Sequence, residues 1–289
     1  MRGVHPKLKP RPLAADVKVR GARAPADHTV QTSASRPGWT SRRVVARARP
    51  RAMSIKVDPK QLALVRGLDD TRRALAAWQE RPLAVLGPWF LGAVAIALAL
   101  LGAVAAVAAA SPPDPTRYAI PGLNVRADLG DYVHILIRNT LVLALHALAC
   151  VAGFIAGSSL PLQAQYLSGL NRLVHERAGP LAMAFVAAAT LFSLATQAYV
   201  LGGTASTLAA QLGVGLGGLL LSLLPHALPE LTAVFLPLAA WLLLSREGRW
   251  NELLAATAVC VAVALPVLFA TAAIELTVWP RLLAQLAWG

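Results

Sequence analysis

The chain has 289 residues, of which 56% are hydrophobic and only 14% charged, with a mean hydropathy of +0.57. A soluble globule carries about 25% charged residues, so this composition excludes a water-wetted domain, a nucleic-acid-binding globule and a disulfide-stapled secreted fold, and leaves an integral membrane protein. The formal charge of +13 is concentrated at one end: residues 1–52 hold thirteen Lys/Arg against two Asp, whereas residues 53–289 hold fourteen Lys/Arg against twelve Asp/Glu.

Residues 1–52 lack hydrophobic periodicity and contain six prolines. Such a segment buries too little apolar area to offset its ordering entropy and is expected to be a disordered basic tail. Three origins are compatible with it: translation upstream of a true start at Met53, a polybasic arm on anionic headgroups, or an Arg-rich, acid-poor transit peptide. The first is favoured, because helix-like sequence begins soon after Met53.

Residues 53–82 read as an amphipathic cytoplasmic or interfacial helix. Asp58-Pro59 is an N-cap followed by proline at the first helical position. Leu64, Leu68, Leu75 and Trp78 fall near one face, with Arg66, Asp69, Asp70, Arg72, Arg73 and Glu80 largely elsewhere. The helix lies along the membrane or packs on loops of the same protein, and it ends at Pro82.

Residues 83–289 form the transmembrane domain. A helix crosses the hydrocarbon with about 20 apolar residues. The first run, 83–110, is uncharged, carries Pro88-Trp89 near its start and is stopped by Ser111-Pro-Pro-Asp-Pro. The second, about 132–157, contains Arg138, Asn139 and His146, and the third, 180–201, closes at Gly202-Gly203. Residues 208–244 are apolar over a length too great for one straight crossing, and Pro225 and Pro229 should break the helix. That yields either two crossings or two half-helices meeting inside the membrane. The last run, 253–278, has Glu275 near its end, with Trp279 and Trp288 as interface anchors. The expected fold is all-α, a polytopic transmembrane helical bundle of five or six spans with one proline-broken segment, six being preferred.

Lys/Arg bias sets orientation. Lys56, Lys60, Arg66, Arg72, Arg73 and Arg81 precede the first span, against Arg117 and Arg126 after it. This predicts a cytoplasmic N-terminus and returns the loop bearing Arg172 and Arg177 to the same side. The loop with Arg246 and Arg249 is ambiguous, since six crossings place it outside, against the rule.

Polar groups at membrane depth are costly and face protein or water. Arg138, Asn139, His146, Gln197, His226, Glu230 and Glu275 are the candidates. Arg138 is expected to snorkel or to pair with Asp131, and His146 to hydrogen-bond a neighbouring helix. His226 and Glu230, beside broken helix ends, suit an ion or proton site. The simpler reading is that they bond each other or a free carbonyl and fix the break. His-Glu-x-x-His is absent, and zinc would need a third ligand, with Glu275 the obvious recruit. Cys150 and Cys260 lie in apolar runs without C-x-x-C spacing and read as small hydrophobes. Gly153 and Gly157, and Gly213 and Gly217, are spaced for close helix contact. The glycine-rich stretch 213–218 lacks a Walker lysine and is no phosphate loop.

Arg138-Asn139-Thr140 opening the second span, Gly153 and Gly157 closing it, Leu224-Pro-His-Ala-Leu-Pro-Glu230, and Ala272-Ala-Ile-Glu275 in the last span together make residues 130–280 resemble the stage II sporulation protein M family of bacterial integral membrane proteins. Ala227 departs from the glycine usual after the histidine. The resemblance implies a polytopic scaffold, which in endospore formers holds a peptidoglycan-degrading complex at the septum while partner proteins do the hydrolysis. It carries over no catalytic residues; His226, Glu230 and Glu275 match motif positions.

The expected function is therefore an integral membrane scaffold or subunit of a bacterial cell-envelope complex in the inner membrane, not an enzyme, with no cofactor and no metal. Its partners would be the lipid bilayer, envelope proteins and, in a homo-oligomer, further copies of itself, and no nucleic acid. The alternative is a transporter or channel subunit using the His226/Glu230 region, and an intramembrane hydrolase ranks third.

Overall fold

The computed structural model describes residues 63–165 and 167–289, so the predicted tail over 1–52 and the Asp58-Pro59 helix start lie outside the described residues. Within them the chain is helical: α1 (Ala63–Gln79), α2 (Pro82–Ala110), α3 (Leu129–Phe154), α4 (Leu160–Ala164), α5 (Gly169–Glu176), α6 (Ala178–Leu212), α7 (Leu216–Arg246), α8 (Leu253–Thr277) and α9 (Trp279–Trp288). A π-helical segment, Ile155–Ser159, extends α3. Five stretches are long and apolar enough to cross a membrane: Pro82–Ala110, Leu129–Ser158, Pro180–Leu212, Leu216–Arg246 and Trp250–Trp288. Among the described residues the protein is an all-α polytopic bundle with five such helices.

Two expectations about the apolar stretch 208–244 are corrected. Pro225 and Pro229 do not break the helix; both sit, with Pro237, inside the continuous α7. The chain turns instead at Gly213, whose φ of +65° caps α6. Val214 N–H donates to the Ala209 carbonyl at 3.1 Å and Gly213 N–H to the Ala210 carbonyl at 3.3 Å, which is how a left-handed glycine satisfies the last carbonyls of a helix. Gly248, at φ +71°, ends α7 the same way, with Arg249 N–H reaching the Leu244 carbonyl at 2.9 Å. The Gly202-Gly203 pair, expected to close the third span, lies within α6. A Cβ on Gly202 would meet Val107 at 2.6 Å, so this glycine marks a crossing with α2.

Five crossings place α1, the 155–177 connection and the 247–252 turn at one end, and the 111–128 loop, the 213–215 turn and α9 at the other. Tertiary contacts agree with this arrangement. Trp78 on α1 stacks edge-on against Trp89 with centroids 5.2 Å apart, and its indole N–H donates to Glu252 Oε2 at 3.1 Å. Arg249 holds the same Glu252 through two bonds of 2.9 and 2.7 Å and Glu247 at 2.8 Å. These bonds, Glu252 foremost, push the already high pKa of Arg249 further up. At the opposite end, Gln211 clamps the Tyr118 backbone, accepting from its N–H at 2.8 Å and donating to its carbonyl at 3.0 Å. Asp114, in the same loop, accepts the Thr116 hydroxyl and backbone N–H, which holds its carboxyl below the usual range.

α1 is packed on protein. The buried face runs through Gly67, Ala74 and Trp78, while Leu68, expected on that face, is exposed. Gly67 is required there, because a Cβ would meet Leu254 at 2.8 Å and Phe154 at 2.9 Å.

α7 is the central helix, packing on α2, α3, α8 and α9. Its flanks are stripes of small residues. α2 turns Ala93, Ala97, Val104 and Ala108 inward, and α8 turns Ala256, Cys260, Ala264 and Ala272 inward. Lipid tails are as apolar as leucine, so helices associate in a bilayer through close van der Waals contact, which small side chains permit. Cys150 is equally enclosed and its thiol donates to the Pro237 carbonyl at 3.2 Å. Gly153 and Gly157 lie at close approaches: a Cβ would come within 2.5 Å of the Trp241 indole nitrogen and 2.1 Å of the Trp250 ring. Gly213 and Gly217, expected to pack similarly, meet nothing within 4 Å.

Two outcomes follow. Gly157→Ala should cost roughly 1–3 kcal/mol by overpacking, whereas Gly217→Ala should be neutral or slightly stabilising, as read by thermal unfolding in detergent. Because both native cysteines are fully buried, single cysteines at Glu80, Glu247 and Arg126 can be labelled selectively. Glu80→Cys and Glu247→Cys should react from the same side of sealed vesicles and Arg126→Cys from the other. Opposite-side labelling of Glu80 and Glu247 would restore the six-span topology.

Candidate intramembrane polar site

Five of the polar residues singled out in the sequence converge. Arg138 and Asn139 on α3, Gln197 on α6, Glu230 on α7 and Glu275 on α8 line one half-open cavity of ≈ 470 Å³, walled by apolar side chains such as Ile135, Val142 and Phe235. At 1.5 Å per residue, Glu230 and Arg138 lie about 24 Å along their helices from the α1 end, Gln197 about 28 Å and Glu275 about 33 Å. For a hydrocarbon core about 30 Å thick, the cavity occupies the half nearer α9.

The local sequence explains why these groups meet. α3 begins with a reciprocal capping box in which Asp131 N–H donates to Asp128 Oδ1 and Asp128 N–H to Asp131 Oδ2, each at 3.0 Å. This pins the helix start and occupies Asp131, so the expected Arg138–Asp131 pair does not form. Arg138 instead faces the two carboxylates at the cavity mouth, within Coulomb reach of both. Among the described residues, however, no ion pair within 4.0 Å involves Arg138, Glu230 or Glu275. Asn139 and Thr271 lie beside Glu230, yet its Oε2 atom is buried without a hydrogen-bond partner. The Gln197 amide donates to Ser193 Oγ at 3.1 Å.

His226 does not join this group. It lies one turn before Glu230 on α7 but is turned onto α9, its ring 5.6 Å from that of Trp279. The Trp279 indole donates to Ser222 Oγ at 3.2 Å, and Ser222 donates to the Leu219 carbonyl at 2.6 Å. Trp279, expected as an interface anchor, thus docks α9 on α7, and His226 Nδ1 remains buried and unpartnered. His146 is also apart: it stacks edge-on against Phe235 at 5.4 Å and lies beside the Val234 backbone of the neighbouring α7, with its Nδ1 unpartnered. The expected trio of His226, Glu230 and Glu275 is therefore divided, with only the two glutamates sharing a site. Among the described residues no three His, Cys, Asp or Glu side chains gather closely enough to hold a metal ion.

Sequence reasoning identified every charged or amide member of the cavity but not their grouping. Thr271 was missed; it lies four residues before Glu275 on α8, a spacing that puts two residues on one helix face. Chemically the arrangement complements charge: two carboxylates, one guanidinium and two amides sit in apolar walls. Comparison with protein-family models, curated proteins and solved structures finds no match for this chain.

A buried carboxylate oxygen without a partner costs stability. Glu230→Gln should therefore leave thermal stability unchanged or raise it by roughly 1 kcal/mol. A loss of more than about 2 kcal/mol in detergent unfolding would mean that the carboxylate is paired.

Proposed function

We propose that this multi-pass membrane protein is a non-enzymatic scaffold or subunit of a bacterial cell-envelope complex, embedded in the inner membrane with its N-terminus cytoplasmic, as its resemblance to the stage II sporulation protein M family implies. The observation that carries this reading is α6. This span packs chiefly along α2 and leaves Phe185, Leu191, Phe192 and Tyr199 more than two-thirds exposed. Lipid covers such a face in the isolated chain, and a partner helix covers it in a complex. The orientation is supported by charge: Arg72, Arg73, Arg81, Arg172, Arg177, Arg246 and Arg249 fall at the α1 end, against Arg117, Arg126 and Arg281 at the other. This matches the positive-inside rule.

A photo-crosslinker at Phe192 in native membranes should yield a discrete protein adduct, and solubilised complexes should migrate above the monomer. Lipid-only adducts on a solitary monomer at native abundance would count decisively against a scaffold.

The cavity favours a second reading, a transporter or channel subunit in which Glu230 and Glu275 form the solute site. That reading expects Glu230→Gln to abolish flux in proteoliposomes, whereas a scaffold shows none in either form. A hydrolase has the least support, because the Ser222 hydroxyl beside His226 gives its proton to its own helix.

A further inference from the structure

The cavity keeps unlike charges apart. Unit charges in a low-dielectric medium attract strongly, and an arginine and a glutamate free to meet in hydrocarbon close to contact. Here Arg138 projects from α3 while Glu230 and Glu275 project from α7 and α8, and no ion pair within 4.0 Å joins them. The unpartnered Glu230 Oε2 marks unmet demand on the anionic side. Asn139 lies beside Glu230, and the Gln197 amide lines the same cavity as the guanidinium. A lone cation would suit the glutamates but not the fixed charge of Arg138; a lone anion would meet the reverse. A ligand bearing both charges a few bonds apart satisfies both walls.

We propose that this cavity binds a zwitterion that joins a primary ammonium to a phosphodiester, as in phosphoethanolamine. The ammonium sits between Glu230 and Glu275 and donates its three hydrogens there. The phosphate oxygens take the Arg138 guanidinium, which matches their geometry in bidentate fashion, together with the Gln197 amide, while Asn139 holds the Glu230 carboxylate that receives the ammonium. The ≈ 470 Å³ volume lies within the range of small-molecule sites. The cavity lies at membrane depth, with Arg138 exposed at its mouth, so the same chemistry is available from a lipid headgroup or from a free solute. The proposal shares its site with the transport reading without requiring that the ligand move, so binding without flux sustains this inference and removes that reading.

The test uses full-length protein in detergent and in nanodiscs. Glycerophosphoethanolamine should raise the unfolding temperature saturably, and glycerophosphoglycerol, which lacks the ammonium, should not. Nanodiscs containing phosphatidylethanolamine should outperform those of phosphatidylglycerol alone if the lipid is the source; a response to the free headgroup alone identifies a soluble ligand. Glu230→Gln, Glu275→Gln and Arg138→Gln should each weaken binding at least tenfold. Asn139→Ala should weaken it less, and Glu230→Gln, expected to keep its stability, is the arm for which folding is least at risk. Equal responses to the amine-bearing and amine-free probes, or wild-type affinity in folded variants of both Glu230 and Arg138, would overturn the proposal.

Discussion

An unpaired peptide group in hydrocarbon costs several kcal/mol, and only a continuous helix or a closed barrel avoids that penalty. α7 meets this constraint with three prolines along its length. Each proline removes one donor and leaves the carbonyl four residues earlier without its usual partner, which puts three such carbonyls at Leu221, Pro225 and Ala233. Unwinding the segment would expose many more. The helix therefore persists where the same sequence in water would break, and it does so at the centre of the bundle, where neighbouring helices shield its backbone. The remaining spans are arranged around α7, and the direction in which it turns Glu230 fixes where the polar cavity lies.

The neighbours approach α7 through small side chains. Ala93, Ala97, Ala256 and Ala264 are fully buried, and a Cβ on Gly92 would already meet Ala239 at 3.2 Å. Glycine at 153 and 157 leaves room for the indoles of Trp241 and Trp250. Some bulky apolar groups point outward, as Leu91, Leu141, Leu145 and Phe192 do, while Phe235, Trp241, Leu253 and Leu268 fill the interior. The outward leucines follow from lipid being an adequate solvent for leucine.

Much of this was legible in the sequence, because length and hydropathy alone locate helices that must span a bilayer. The first span and the apolar character of the last were set by uninterrupted composition. The error over 208–244 arose from applying the proline penalty of an aqueous helix, about 3 kcal/mol, where the competing cost of exposed peptide groups is larger. Gly213 carried the true turn signal, but its spacing with Gly217 looked like a packing motif. Correcting the turn also resolves the charge ambiguity of Arg246 and Arg249, which five crossings return to the side of α1. On α1, Leu75 and Trp78 pack inward as expected, whereas Leu68 was misplaced, because it outweighs Gly67 in any hydrophobic count although the glycine marks the closer contact.

The polar residues of α7 show what periodicity cannot supply. His226 and Glu230 are one turn apart and invite a shared role, yet a rotation of about 40° between them assigns one to the α9 contact and the other to the cavity. Ser222, His226 and Trp279 form a docking joint whose polar atoms fasten α9 to the bundle. Glu230 is only partly satisfied: Asn139 and Thr271 lie beside it, but its Oε2 atom is buried without a partner and it faces a second carboxylate. Packing and helix formation would both be served by an apolar residue at that position, and removing buried charge is often neutral or stabilising. The carboxylates thus add no apolar packing, and they share one cavity with Arg138, Asn139 and Gln197, so polar groups from four helices meet where the close packing of small residues alone gives no reason for them to meet.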